Sequence, residues 1–425
     1  MEKIVITIDR LGMIRRSKIE ISPVMIFSGE SGLGKSYLAM LCHYFFEVLL
    51  DSDRFDHFIK EKGWSFSEMQ PTLADNGIAI SFSKEELEQW LAKDAIRYIG
   101  HMLNHDLLNA EIKVQLPSVV EDEILVSYEK DIDGFENSEE IYIKLSTLGL
   151  NYRIKEEVLG SESPFAFLLR FGLVKKIFGS FKALTDSYVF PPSRGPVLTE
   201  EVIPQTGLYE KFKNSLLKMG RIPSIPDNVN QDLVYLFKEV MEGYVSRKEG
   251  KYIYTTGDEE LPISAAAASI REIASLAMLV ERTDLSKVAL LIEEPEAHLH
   301  PLKQRMMADI FSLMCKGGAF MQITTHSDYF LRRINELIGL YRLQSILGPS
   351  EFYTVCKELN ISSLLTLDTA RISGFLLEKS EDGSSIIEVQ ELSEGIPFES
   401  FSDAIDISLS TRFKINEYLD NNGGN

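Results

Sequence analysis

The sequence predicts an α/β fold with a mixed sheet, a helical lobe and an inserted α+β segment, and three observations lead to it. An apolar run at 24–27 passes through a Gly-rich turn directly into a helical stretch from Lys35 to about Leu50. Two further apolar runs, 288–292 and 320–324, flank a helical stretch, which is the spacing of parallel strand–helix–strand construction. Between 51 and 249 the pattern changes to alternating stretches and amphipathic helices, with no sustained heptad series of the kind a coiled-coil arm requires.

In chain order, short strands are expected at 4–8 and 18–21, ahead of the buried-type run at 24–27. A helix is expected over 85–103, where Leu87, Trp90, Leu91, Ile96, Ile99 and Leu103 recur at helical spacing. Period-two alternation at 112–116, 124–128 and 141–145 predicts strands, and 131–140 reads as an acidic loop. From 163 to 250 the chain reads as mostly helical, broken by Pro-rich stretches at 189–196 and 222–226. A strand at 252–254 leads into an alanine-rich helix starting near Ser264. Beyond Ile372 a small hairpin and a last helix are expected, and 421–425 reads as a disordered tail. This assigns 1–50 and 250–425 to one split core, and 51–249 to the insertion and lobe.

Composition narrows the function classes. The chain of 425 residues is 44% hydrophobic and 25% charged, ordinary values for a water-soluble globular protein. It holds no apolar run of membrane-helix length, and its first ten residues lack the apolar stretch of a signal peptide, so a cytoplasmic location and no membrane partner are expected. Cys42, Cys315 and Cys356 form no CxxC pair and each lies in an apolar stretch, which predicts buried thiols. Net charge is −20, from 44 basic and 64 acidic residues, a balance that speaks against a stand-alone nucleic-acid binder. Lys175, Lys176 and Lys182, then Lys211, Lys213, Lys218 and Arg221, are the candidates for a local basic face.

The Gly-rich turn reads Gly29-Glu30-Ser31-Gly32-Leu33-Gly34-Lys35-Ser36 and continues into Tyr37. It matches G-x-x-x-x-G-K-[ST] in full, after an apolar strand and at a helix start, the context the pattern requires. Glycines let the backbone wrap closely around phosphates with N–H groups pointing inward, and the helix directs its positive end at the same charge. Residues 29–37 are thus the expected ATP-binding segment, with Lys35 reaching the β- and γ-phosphates and the Ser36 hydroxyl on Mg²⁺.

Far downstream, the run 288–292 ends in Glu293-Glu294-Pro295-Glu296-Ala297-His298-Leu299-His300-Pro301. An apolar strand ending in two carboxylates suits a nucleotide–Mg²⁺ site, one acid for the metal's water shell and the next for the attacking water. The run 320–324 is followed by Thr325-His326-Ser327. Together these blocks resemble the ABC-class AAA-type ATPases, the group that includes the ATPase domains of the OLD family and the heads of structural-maintenance-of-chromosomes proteins. The resemblance covers 1–50 and 250–335. It implies an ABC-type head with Glu294 as catalytic base, Glu293 on the Mg²⁺ water shell, and His326 as a γ-phosphate-sensing switch.

It also implies that ATP is sandwiched between two subunits, the second offering a Ser-x-Gly signature at a helix start. Here those positions read Ala267 and Ser269, with Arg271 nearby, so the signature departs from the pattern. Arg194, in Pro191-Pro192-Ser193-Arg194, resembles an arginine motif of the group. The His298-x-His300 pair lacks further ligands at zinc spacing. Stand-alone heads of this type, without arms or a fused nuclease, resemble the ATPase components of bacterial antiphage systems. The expectation is therefore an ATP-hydrolysing switch that self-associates on ATP and controls a separate effector such as a nuclease or toxin. A non-hydrolysing nucleotide-bound scaffold and a DNA-repair ATPase acting on duplex DNA are the alternatives.

Overall fold

A computed structural model describes residues 1–64, 77–105, 109–135, 138–155, 163–180, 182–199, 203–221, 231–248, 250–392, 395–397 and 406–416. The expected Pro-rich break at 222–226 and the tail at 421–425 lie outside these residues. The chain opens with β1 (Val5–Leu11), β2 (Ile14–Glu20) and β3 (Val24–Gly29), followed by α1 (Lys35–Glu47) and α2 (Ser52–Glu61). Next come β4 (Ile78–Ser83), α3 (Lys84–Leu103), β5 (Ala110–Gln115), β6 (Glu123–Phe135), β7 (Ser138–Thr147) and β8 (Leu150–Lys155). The middle contains α4 (Pro164–Phe178), β9 (Asp186–Phe190), α5 (Gly195–Thr199), α6 (Gly207–Met219) and α7 (Gln231–Met241). After β10 (Tyr244–Lys248), β11 (Lys251–Thr256) and β12 (Glu259–Pro262) come α8 (Ala268–Val280), β13 (Val288–Glu293), α9 (Pro301–Lys316) and β14 (Phe320–Thr324). Then come α10 (Asp328–Ile346), α11 (Pro349–Glu358), β15 (Ile372–Lys379) and β16 (Ser385–Gln390), and residues 406–416 are helical, as the expected last helix requires.

The main sheet has nine strands in the order β5-β1-β2-β16-β15-β3-β14-β13-β9. Strands β15, β3, β14, β13 and β9 run parallel to one another, while β1 pairs antiparallel with both β2 and β5. Strand β3 lies inside the parallel part and all six of its residues are buried. Its alternate side chains serve two cores: Met25 and Phe27 join α1–α4, whereas Val24 and Ile26 join α8–α10. A strand covered on both faces needs apolar residues at successive positions, which is why β3 and β13 read as continuous runs. Strands β5 and β9, the two edges of this sheet, both come from the 51–249 stretch.

The insertion forms a second, four-stranded sheet in the order β4-β6-β7-β8. The expected acidic loop at 131–140 is here corrected. β6 and β7 extend into it from either side, pairing Asp133 with Glu140 and Phe135 with Ser138. Backbone pairing between neighbouring strands overrides the low strand propensity of the acids. The alanine-rich helix also starts later than expected. A 3-10 turn at Ile263–Ala265 precedes α8, which begins at Ala268 with Ala267 as N-cap. Helix α3 is fixed by a capping box in which Ser83 and Glu86 satisfy each other's backbone N–H groups. All three cysteines are buried. Among the described residues no helix is long and apolar enough to cross a membrane.

Candidate nucleotide-binding site

Strand β3 delivers the loop at its C-terminal end, where ligands bind in open parallel sheets. Gly29 has φ +123°, and a Cβ there would lie 2.3 Å from the carbonyl oxygen of Leu377. Glycine is therefore what lets β3 and β15 stay paired up to the loop. Gly32 and Gly34 also have positive φ, +81° and +99°, and Gly34 is the N-cap of α1 with no side-chain hydrogen bond capping the helix. Leu33 is buried in the core and anchors the loop, while Glu30 points outward.

Lys35 is 5% exposed, and its ammonium donates to the carbonyls of Gly29 at 2.9 Å and Glu30 at 2.6 Å. Burial lowers its pKa to about 8, against the opposing pull of Glu294, Glu296 and Glu293. The adjacent Ser36 hydroxyl donates to Glu293 Oε2, joining the start of α1 to the end of β13. Glu293 is 3% exposed, and its other oxygen, Oε1, is buried without a hydrogen-bond partner. An orphaned buried carboxylate oxygen next to a hydroxyl is oxygen-donor chemistry of the kind Mg²⁺ takes, usually through its waters. Among the described residues no group of three or more His, Cys, Asp or Glu side chains is arranged to hold a metal by itself.

Burial raises the pKa of Glu293 to about 7; the Ser36 bond opposes this and the charge of Glu294 adds to it. The folded protein therefore keeps a proton that the unfolded chain releases near the ordinary carboxylate value. Stability contributed by this group falls as pH rises from about 4.5 to about 7, and stays low above that window. In metal-free thermal melts, Glu293→Gln is expected to match the wild type near pH 4.5. By pH 7.5 it should be the more stable protein by about 3 kcal/mol.

Glu294 sits at φ +46°, and its N–H donates to the carbonyl and the hydroxyl of Thr324, at 3.1 and 3.3 Å. Its carboxylate is 41% exposed, and Oε1 lies 3.8 Å from His326 Nε2, a charge contact longer than a hydrogen bond. Burial, followed by the charge of Lys35, pushes the imidazole pKa of His326 down against the opposing effect of Glu294. Over these groups opens a cavity of about 510 Å³ lined by Ser31, Gly32, Gly34, Lys35, Ser36, Tyr37, Glu294 and His326. That volume is in the range of small-molecule sites. Gly12, Met13 and Thr324 line it too, and the sequence did not single them out. The one available signal was the glycine between β1 and β2, which turns that hairpin over the loop and sets Tyr37 against it.

Other singled-out residues lie elsewhere. Arg194 is fully buried; its side chain donates to the carbonyls of Glu272 at 2.6 Å, Pro191 at 3.1 Å and Glu293 at 3.0 Å. It braces the end of β13 against α8 and does not line the cavity. Ala267 and Ser269 begin α8, whose N-terminus has no side-chain cap. His300 caps α9 by accepting from the N–H of Leu302 at 3.4 Å. In the basic clusters, Lys176, Lys211 and Lys218 pair with Glu121, Glu47 and Asp186, which reduces the free positive charge there.

Residues 195–331 match the family model described as an AAA ATPase domain. The match includes β13 and β14, and therefore Glu293, Glu294 and His326, whereas the phosphate loop lies upstream of it. Solved structures similar to the chain include the crystal structure of an Smc head bound to the C-winged helix domain of ScpA. It shares 13% identity over 92% of this chain and 98% of that one, with a TM-score of 0.39. The SMC head domain from Thermotoga maritima shares 11% identity over 92% of this chain and all of that one, with a TM-score of 0.35. An Smc head domain with an extended coiled coil, bound to the C-terminal domain of ScpA and derived from Pyrococcus furiosus, shares 12% identity. It covers 97% of this chain and 99% of its own, with a TM-score of 0.36. No curated protein matches the chain.

Proposed function

We propose that this protein binds ATP with Mg²⁺ at the loop 29–37 and hydrolyses it. The observation that carries the reading is the Ser36–Glu293 contact beside Lys35, a hydroxyl and a half-unpartnered buried carboxylate set against a desolvated cation. Lys35 holds the β- and γ-phosphates, and the N–H groups of 32–36 surround them. Mg²⁺, when bound, neutralises the phosphate charge that develops in the transition state. Glu294 accepts the proton of the attacking water, and His326 contacts the γ-phosphate as a neutral donor. The site is a switch through which ATP promotes association with a second copy and control of a separate effector, a nuclease or toxin of antiphage defence. Support for that wider role is the sequence resemblance to stand-alone ATPase heads.

The test is steady-state phosphate release by the wild-type protein. Turnover that EDTA abolishes and excess Mg²⁺ restores is the expected result; measurable turnover in EDTA would overturn the assignment of Ser36 and Glu293. The absent signature side chain at Ala267 favours one other reading, a scaffold that holds ATP without turning it over. Tight ATP binding with no phosphate release would establish it. Stimulation by duplex DNA at low salt would favour a DNA-repair role instead.

A further inference from the structure

The segment 294–300 leaves β13 with two non-glycine residues in the left-handed region, Glu294 at φ +46° and His298 at φ +63°. Such backbone is uncommon for residues with side chains and persists where the surroundings hold it. Three bridges tie this segment to the end of β14 and the residues that follow it. The Glu294 N–H donates to Thr324. Gln304 of α9 donates to the carbonyl of Leu299 at 2.9 Å and accepts from the Ser327 hydroxyl, which itself accepts the N–H of Phe330 at 3.0 Å. Between them stands Glu296.

Glu296 is 6% exposed and does not line the nucleotide cavity. Its Oε1 accepts from the Thr325 hydroxyl and from the backbone N–H of His326, both at 2.7 Å. Its Oε2 is buried without a partner. A buried carboxylate is expensive to desolvate, and two short bonds to one oxygen offset part of that cost. An apolar residue would fill the same space without the cost, so the two bonds are what the carboxylate adds here. One holds the backbone N–H of His326 and the other the side chain of the residue before it.

We propose that Glu296 is a positioning residue, whose carboxylate sets the His326 ring over the nucleotide cavity and makes 294–300 and 324–327 move as one unit. A displacement of 294–300 is transmitted through that carboxylate to His326 and so to hydrolysis. The inference rests on the role assigned to His326 above.

Two variants and two readouts test it. Glu296→Gln keeps an acceptor oxygen, and Glu296→Ala removes it. In Glu296→Ala the His326 amide should exchange with deuterium about tenfold faster, read on the peptide spanning 322–328. Its kcat should fall by about 10²-fold with KM for ATP within about threefold, because the ring is misplaced and the binding loop is not. Glu296→Gln should stay near wild type on both readouts. Unchanged amide protection in Glu296→Ala overturns the proposal, and so does lost protection with kcat unchanged. A parallel loss of kcat and KM that glutamine fails to rescue also overturns it, as the mark of a general structural role. If Glu296→Ala does not fold, Thr325→Val removes one of the two bonds, together with the bond from the Ser327 N–H to the same hydroxyl; a kcat lowered severalfold at constant KM with faster exchange of the His326 amide supports the proposal, and an unchanged kcat overturns it. Should the wild type show no turnover, the hydrolase reading fails on its own. Amide exchange then decides: protection lost in Glu296→Ala and retained in Glu296→Gln supports the positioning role.

Discussion

Replacing Glu294 with glutamine is expected to lower ATP turnover by about 10³-fold while ATP still binds, the size of effect seen when a positioned general base is removed. The substitution keeps shape and removes only the ability to take a proton. Its N–H stays bonded to Thr324, so the left-handed backbone at 294 persists. The 41% exposed carboxylate is the acid at this strand end that opens to the cavity, whereas Glu293 is turned inward onto Ser36. Phosphate release and equilibrium binding of a fluorescent ATP analogue, measured on the same preparation, separate the two quantities. A variant with wild-type turnover would place the base elsewhere.

Lys35→Ala should weaken ATP binding by about 10²-fold, since one or two charged hydrogen bonds to phosphate are lost, at about 1.5–3 kcal/mol each. The wild-type ammonium stands ready over the loop carbonyls of Gly29 and Glu30, and burial already disfavours its charge. A bound triphosphate supplies the counter-charge that burial withholds, so the cation contributes more to the complex than to the free protein. Isothermal titration with ATP and Mg²⁺ measures the loss, and a melting temperature taken without nucleotide controls for folding. An unchanged affinity would remove Lys35 from the phosphate site.

Much of this architecture was legible because the decisive signals are local. The strand–glycine loop–helix at 24–50 is written in consecutive residues, and buried parallel strands announce themselves as unbroken apolar runs. The parts that were not legible depend on distant partners. The stretch from Asp131 carries loop-like acids, yet residues 131–135 pair with 138–142. Arg194 resembled a functional motif, and its buried guanidinium instead braces carbonyl groups of Pro191, Glu272 and Glu293. Gly12 and Met13 enter the cavity through a hairpin that no motif marks. Glu296 stood in plain view within the acidic block, but its partners, Thr325 and the His326 amide, are separated from it by a helix and a strand.

The pairing of β3 bears on how this protein is made. The strand that carries the phosphate loop is translated long before its two neighbours, β14 and β15. Ser28 donates to the carbonyl of Phe375 across a separation of 347 residues, and Gly29 accommodates the carbonyl of Leu377. Until β14 emerges, β3 has both edges bare, and until β15 emerges it still has one, with apolar residues on both faces, the form of chain most prone to pair wrongly. Nascent chains arrested before Ile372 should therefore depend on chaperones and fail to retain ATP, whereas synthesis of β15 closes the second edge of β3 and completes the loop's support in the same step.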